Sequence, residues 1–170
     1  IFNFFILLTL MSPFTPIQAE DGYRLWLRYD AIQNKTLLKQ YQQAIRNIKV
    51  EGSSPVTESI EKELLNGLSG LLQKNYQIGN ASLTHGTLLL TTQPYSAEME
   101  KLKLEESMAT LGNEGFIIKS VKIGGKNILL ITANTDNGLL YGAFHLLRLL
   151  QMHEDIRNLD IVEKPLCTLR

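Results

Sequence analysis

Phe116-Ile117-Ile118-Lys119-Ser120-Val121-Lys122-Ile123-Gly124-Gly125-Lys126-Asn127-Ile128-Leu129-Leu130-Ile131-Thr132 is the stretch that decides the fold. Two β-branched, apolar runs, Phe116 to Ile123 and Asn127 to Thr132, flank Gly124-Gly125-Lys126. Glycine accepts the positive φ angles of a tight connection, so this pattern predicts a β-hairpin. Directly behind it, Asn134-Thr135-Asp136-Asn137 supplies capping oxygens to a long helix, Gly138 to about Met152. Leu139, Leu140, Tyr141, Ala143, Phe144, Leu146, Leu147, Leu149 and Leu150 surround that helix, interrupted by His145, Arg148 and Gln151. A helix apolar around most of its circumference has to be covered on more than one side. One sheet covers one side; something else must cover the rest.

Moving toward the N-terminus, Gly86-Thr87-Leu88-Leu89-Leu90-Thr91-Thr92 is an apolar run stopped by Gln93-Pro94. It is short for a helix and reads as a central strand buried on both faces. Between it and the hairpin lies a polar segment, about Ala97 to Leu111, read as helical. Ser54-Pro55 opens another helix, with a capping hydroxyl and a proline at the first helical position. Ile60, Leu64, Leu65, Leu68, Leu71 and Leu72 then repeat at helical spacing. Ile48 and Val50 alternate with Lys49 and Glu51, a brief strand. Asn34 caps a helix striped by Leu37, Leu38, Tyr41, Ala44 and Ile45. Tyr23-Arg24-Leu25-Trp26-Leu27-Arg28-Tyr29 alternates with period two and reads as a first strand; Asp160 to Glu163 reads as a last one. The order implies an α/β (α+β) domain of two layers, with a mixed β-sheet and helices mainly on one face.

Lys plus Arg and Asp plus Glu number 17 each in 170 residues, so the formal net charge is zero. There is no basic excess to neutralise phosphates, and nucleic acid is not an expected partner. Hydrophobic residues make up 44%, far from the composition of a disordered chain. Cys167 is the single cysteine, which excludes an intrachain disulfide and a Cys-rich zinc site. Ile1 to Ala19 carries no charge, and its apolar run is followed by Pro13 and Pro16. That run is shorter than the roughly 20 residues of a spanning helix. It reads as the core of a secretory signal with Ala19 at the cleavage edge, clipped at its N-terminus. Export, secreted or periplasmic, and no membrane association after cleavage are the expectations. Residues 20–170 make one domain of ordinary size, well short of the roughly 250 residues of a (β/α)8 barrel.

No residue earns a catalytic, cofactor-binding, metal-binding or substrate-binding role from its pattern. His145 and His153 stand roughly 80° apart around a helix, so they are no metal pair, and His85 is alone. Glu98, Glu100, Glu105 and Glu106 are close in sequence but read as a solvated helix face. Glu114 and Asp136 sit at a turn and a helix start, where an acid has structural reasons to be. Gly112-Asn113-Glu114-Gly115 and Gly124-Gly125 are turns, since neither follows a strand and opens a helix. Ser53-Ser54 lacks a nucleophile-elbow context, and Cys167 has no histidine partner in sequence.

Three stretches resemble the N-terminal domain of bacterial and fungal α-glucuronidases of glycoside hydrolase family 67. They are Glu20-Asp21-Gly22-Tyr23-Arg24-Leu25-Trp26-Leu27-Arg28-Tyr29; Leu111-Gly112-Asn113-Glu114-Gly115-Phe116-Ile117-Ile118; and Ile131 through Gln151, with its Gly138-Leu139-Leu140-Tyr141-Gly142 core. The Glu-Gly-Phe hairpin and the Gly-x-x-Tyr-Gly helix also resemble the helper domain that precedes the barrel in β-hexosaminidases. The opening Gly-Tyr-x-Leu-Trp-Leu-Arg-Tyr favours the α-glucuronidase.

The resemblance implies a division of the chain: 1–19 signal peptide, 20–165 the N-terminal domain, 166–170 the start of a connection to a (β/α)8 catalytic barrel. Family members remove (4-O-methyl)glucuronic acid α-1,2-linked to xylose in xylan fragments, by inversion and without a metal or other cofactor. Their two catalytic carboxyl groups belong to the barrel, so no catalytic residue carries over to this chain. The expected role is noncatalytic support, the expected partner that barrel, and the sugar is met only through it. The alternatives are a helper domain of another glycosidase, such as a β-hexosaminidase, and a free-standing binding module for an acidic sugar using Arg24, Trp26 and Arg28.

Overall fold

A computed structural model describes residues 28–79, 82–92 and 101–165. Among them, the elements in chain order are α1 (Lys35–Ala44), β1 (Asn47–Val50), α2 (Pro55–Leu72), β2 (Thr87–Thr91), α3 (Glu105–Ala109), β3 (Phe116–Ile123), β4 (Lys126–Ala133), α4 (Asp136–Gln151) and β5 (Asp160–Glu163). The strands form one mixed sheet of order β1-β2-β4-β3-β5. β1, β2 and β4 run parallel, while β3 is antiparallel to both β4 and β5. The hairpin forms as expected. Gly124 and Gly125, at φ 56° and 74°, make its left-handed turn, and Ile123 pairs with Lys126.

The period-two side-chain alternation of the strands divides the core in two. Ile48, Val50, Leu88, Leu90, Leu129, Ile131, Ala133, Phe116 and Ile118 belong to the cluster that also takes in the inward faces of α1, α2 and α4. Leu89, Leu130, Ile128, Ile117, Val121 and Ile123 face the other way, against Leu104, Leu111 and the half-buried Met108 around α3. β2 is buried at all five positions because both faces are covered. The three longer helices therefore share one layer, and a short helix with its flanking loops closes the other.

Capping follows the sequence. The Asn34 side chain accepts from the Thr36 and Leu37 amides, and Ser54 Oγ accepts from the Thr57 amide ahead of Pro55. α4 starts two residues before the expected Gly138, because Thr135 is its cap and Asp136 its first residue. Ser54 Oγ donates to Asp136 Oδ2 at 2.7 Å, which ties the starts of α2 and α4 together. The two helices thus point the same way, away from the edge where β1 and β4 end. Buried tyrosines lock the remaining loops. Tyr76 Oη donates to the Ile45 carbonyl at 2.9 Å, and burial pushes its pKa up to about 12.

Three expectations need adjustment. Tyr23 to Leu27 lie outside the described residues, and Arg28-Tyr29 is irregular and joins no strand. Arg28 and Tyr29 lie against the helical layer. Tyr29 packs on Gly70 and Gly67 of α2, its hydroxyl bonds Glu63 at 3.2 Å, and the Arg28 carbonyl accepts from the Gln151 side chain at 2.6 Å. The polar helix expected from Ala97 to Leu111 contracts, among described residues, to Glu105–Ala109, since Lys103 takes a left-handed φ of 50° that breaks a longer helix. The apolar α4 rests on β3 and β4 and packs alongside α2. Leu140 and Tyr141 flank the core cluster, and Phe144 and Leu149 are half-buried, so sheet and neighbouring helix cover most of the circumference but not all of it.

Candidate functional site

The residues weighed from sequence scatter over the fold. His85 is exposed, and its Nδ1 accepts from the Asn127 amide at 3.1 Å, which places the ring proton of the neutral form on Nε2. His145 stands edge-on to the Phe116 ring, centroids 5.2 Å apart, with the Arg148 guanidinium 3.2 Å from Nδ1. Partial burial, then the Arg148 charge, hold its pKa below the ordinary histidine value. His153 sits beyond the end of α4 with φ 62° and is exposed. Among the described residues, no group of three or more His, Cys, Asp or Glu could hold a metal.

Glu105 and Glu106 are exposed on α3, the solvated face expected of them. Asp136 serves the helix start through Ser54. Gly112 and Gly125 have open space around their Cα and are turn glycines. Gly115 is different. A Cβ there would press on the Leu111 and Glu163 carbonyls, so this glycine lets the hairpin entry pass between two backbones. Glu98, Glu100, Arg24, Trp26 and Cys167 lie outside the described residues.

What the fold assembles, and sequence spacing gave no sign of, is a groove at the edge where β2 and β4 begin. It is an open cavity of about 940 Å³. Its wall comes from the end of α1 (Gln40, Gln43, Arg46), from β3 and β4 (Lys122, Asn127) and from the turn before β5 (Arg157, Asn158). Ala44, Leu129 and Ile156 supply aliphatic surface. Arg46 is held by a local device. Its stem crosses Gly86, where a Cβ would stand 2.9 Å from Arg46 Cγ, and its Nε donates to the Gln43 carbonyl at 3.3 Å. Arg157 is forked onto Asp155, with contacts of 2.6 to 3.1 Å. Those hydrogen bonds hold the exposed Asp155 carboxyl down to about 2. The three cations come from distant points of the chain, so no motif could have marked them.

Comparison with known proteins gives one family. The family described as Glycosyl hydrolase family 67 N-terminus matches residues 25–146. That span runs through every element from α1 to β4 and into α4 as far as Leu146. No curated protein matches the chain. Solved structures do, among them one described as a novel family GH115 4-O-methyl-α-glucuronidase with specificity for decorated arabinogalactans. The two are 20% identical with a TM-score of 0.45, and the match covers 61% of this chain and 13% of that one. The chain therefore corresponds to a small part of that protein's length.

Proposed function

Because the chain belongs to the glycosyl hydrolase family 67 N-terminal family, we propose that it is the noncatalytic supporting domain of an α-glucuronidase. The reaction is hydrolysis of the α-1,2 link between (4-O-methyl)glucuronic acid and xylose in xylan fragments. The family match over residues 25–146 carries this reading. Geometry adds to it: Phe144 and Leu149 of α4 stay half-buried, apolar surface suited to resting against a further layer.

In this reading the domain is residues 20–165, its partner is a (β/α)8 catalytic barrel, and the xylo-oligosaccharide is met through that barrel. Inversion needs two carboxyl groups roughly 6.5–9.5 Å apart, one protonating the leaving oxygen and one activating water from the opposite face. Both belong to the barrel. Residues 1–19 direct export, to the periplasm or out of the cell, and are removed. Among the described residues no helix is long and apolar enough to cross a membrane.

The test is a release assay on aldouronic acids, with N-acetylglucosaminides as the contrast. A protein joining this domain to its barrel is expected to free 4-O-methylglucuronic acid and leave the N-acetylglucosaminides intact. The chain alone is expected to free nothing. Release by the chain alone would overturn the supporting role, and cleavage of the N-acetylglucosaminides would overturn the substrate.

A further inference from the structure

We propose that the outer edge of β5 docks a second copy of this chain, the two β5 strands pairing antiparallel about Val162 so that two sheets become one. The pairing follows from the register of the sheet and does not draw on the catalytic reading of the family.

The hydrogen-bond phase of β5 comes first. β5 ends the sheet order, so only one of its edges faces β3. Lys119 pairs with Asp160. In the same register Ser120 stands opposite Leu159, and the Ser120 amide donates to the Leu159 carbonyl at 2.8 Å. Backbone groups alternate in direction along an antiparallel strand. Ile161 and Glu163 therefore turn theirs to β3, while Asp160 and Val162 turn theirs outward. Among the described residues nothing bonds those outward groups. An edge left open in this way is a template for a further strand.

The side chains select the occupant. Val162 is 48% exposed, which is unusual for an apolar residue among the described ones. Its register partner on β3 is the buried Ile117. A two-fold axis through Val162 sets the two copies' Val162 side chains together, and it lets their outward amides and carbonyls exchange both hydrogen bonds. Asp160 and Lys164 stand at equal distances on either side of Val162. The same axis therefore places Asp160 of each copy opposite Lys164 of the other, opposite charges in cross-strand positions. That pairing continues the ion pair of Asp160 with Lys119, 2.8 Å long, across the junction. Centring the axis on Asp160 would instead oppose like charges. α4 rests on β3 and β4, inward of the edge strand, and so does not crown the junction. A strand this short buries little area, which makes the dimer a weak one.

The experiment is sedimentation of the full chain from about 10 μM to about 1 mM, with amide exchange of Asp160 and Val162 read by NMR at both ends of that range. A dissociation constant of about 0.1–1 mM is expected. By mass action the two amides are expected to exchange about 2-fold more slowly at the high concentration. Val162→Lys sets two ammonium groups against each other at the axis and is expected to weaken association by about 10-fold. Its urea midpoint is expected to stay near the wild-type value, because the side chain is exposed. Lys164→Glu, beyond the end of β5, is expected to weaken association by about 3-fold. A chain that stays monomeric at about 1 mM would overturn the proposal. So would association that Val162→Lys leaves untouched, which would place it on another surface. Protection of the two amides at every concentration would give the edge to another part of the same chain and would overturn it as well. Wild-type association in Lys164→Glu would do the same, and this variant decides the register even if Val162→Lys folds poorly. The assay for release of 4-O-methylglucuronic acid plays no part here, so either reading can fail alone.

Discussion

Gly142 sits directly on Ile131: a Cβ at position 142 would stand 2.6 Å from Ile131 Cγ2. One turn earlier, Gly138 faces the Gly115 carbonyl oxygen, and a Cβ there would also stand 2.7 Å from the Ala133 Cβ. The Gly-x-x-Tyr-Gly spacing of α4 is thus a packing device. It lowers the helix onto β3 and β4 at two successive turns, and it brings Leu139, Ala143 and Leu146 into full burial.

Adding a methyl group at these positions separates helix from sheet. Gly142→Ala is expected to destabilise by about 1–3 kcal/mol from overpacking, less about 1 kcal/mol regained in helix propensity. Gly138→Ala is expected to cost more, because its neighbour is backbone and cannot turn aside. Urea unfolding checks this through a lower midpoint at unchanged m-value. A Gly138→Ala protein as stable as the parent would mean that α4 stands farther from the hairpin.

Thr132 offers the opposite case. It is fully buried on the α3 side of β4, and among the described residues its hydroxyl has no hydrogen-bond partner. Keeping such a group dry costs about 1–3 kcal/mol. Thr132→Val retains the branched shape and removes the polar atom, so it is expected to raise stability by about 1 kcal/mol. A loss of stability measured by the same urea titration would show that the hydroxyl is satisfied in solution.

His145 makes stability depend on pH. Its folded pKa lies below the ordinary value of 6.5, first through burial and second through Arg148. Below that ordinary value the unfolded chain takes up a proton that the folded protein resists. The contribution of His145 is therefore complete above pH 6.5 and shrinks as pH falls from there toward the folded pKa. Unfolding midpoints at pH 7.5 and 5.5 should differ more for the parent than for His145→Gln. Equal pH dependence in the two proteins would contradict the shift.

The sequence by itself determined the local structure. Asn34, Ser54-Pro55 and Thr135 stop and start helices through bonds to amides two or three residues away, and Gly124-Gly125 shapes its own turn. Such interactions close within a few residues, so their pattern is visible in the chain. The Arg28-Tyr29 segment shows the limit. The alternation of Tyr23 to Tyr29 suggests a strand; of it only Arg28 and Tyr29 lie among the described residues, and these are irregular and meet α2 and the Gln151 side chain. Among the described residues, α3 is shorter than its polar segment suggested, because Lys103 turns left-handed. Only the tertiary structure decided which face α4 leaves half-covered, and only it gathered Arg46, Lys122 and Arg157 around one groove. The physical reason is that a charged side chain on the surface has no periodic signature. Its neighbours are set by strand order and helix packing, which join positions far apart in the chain.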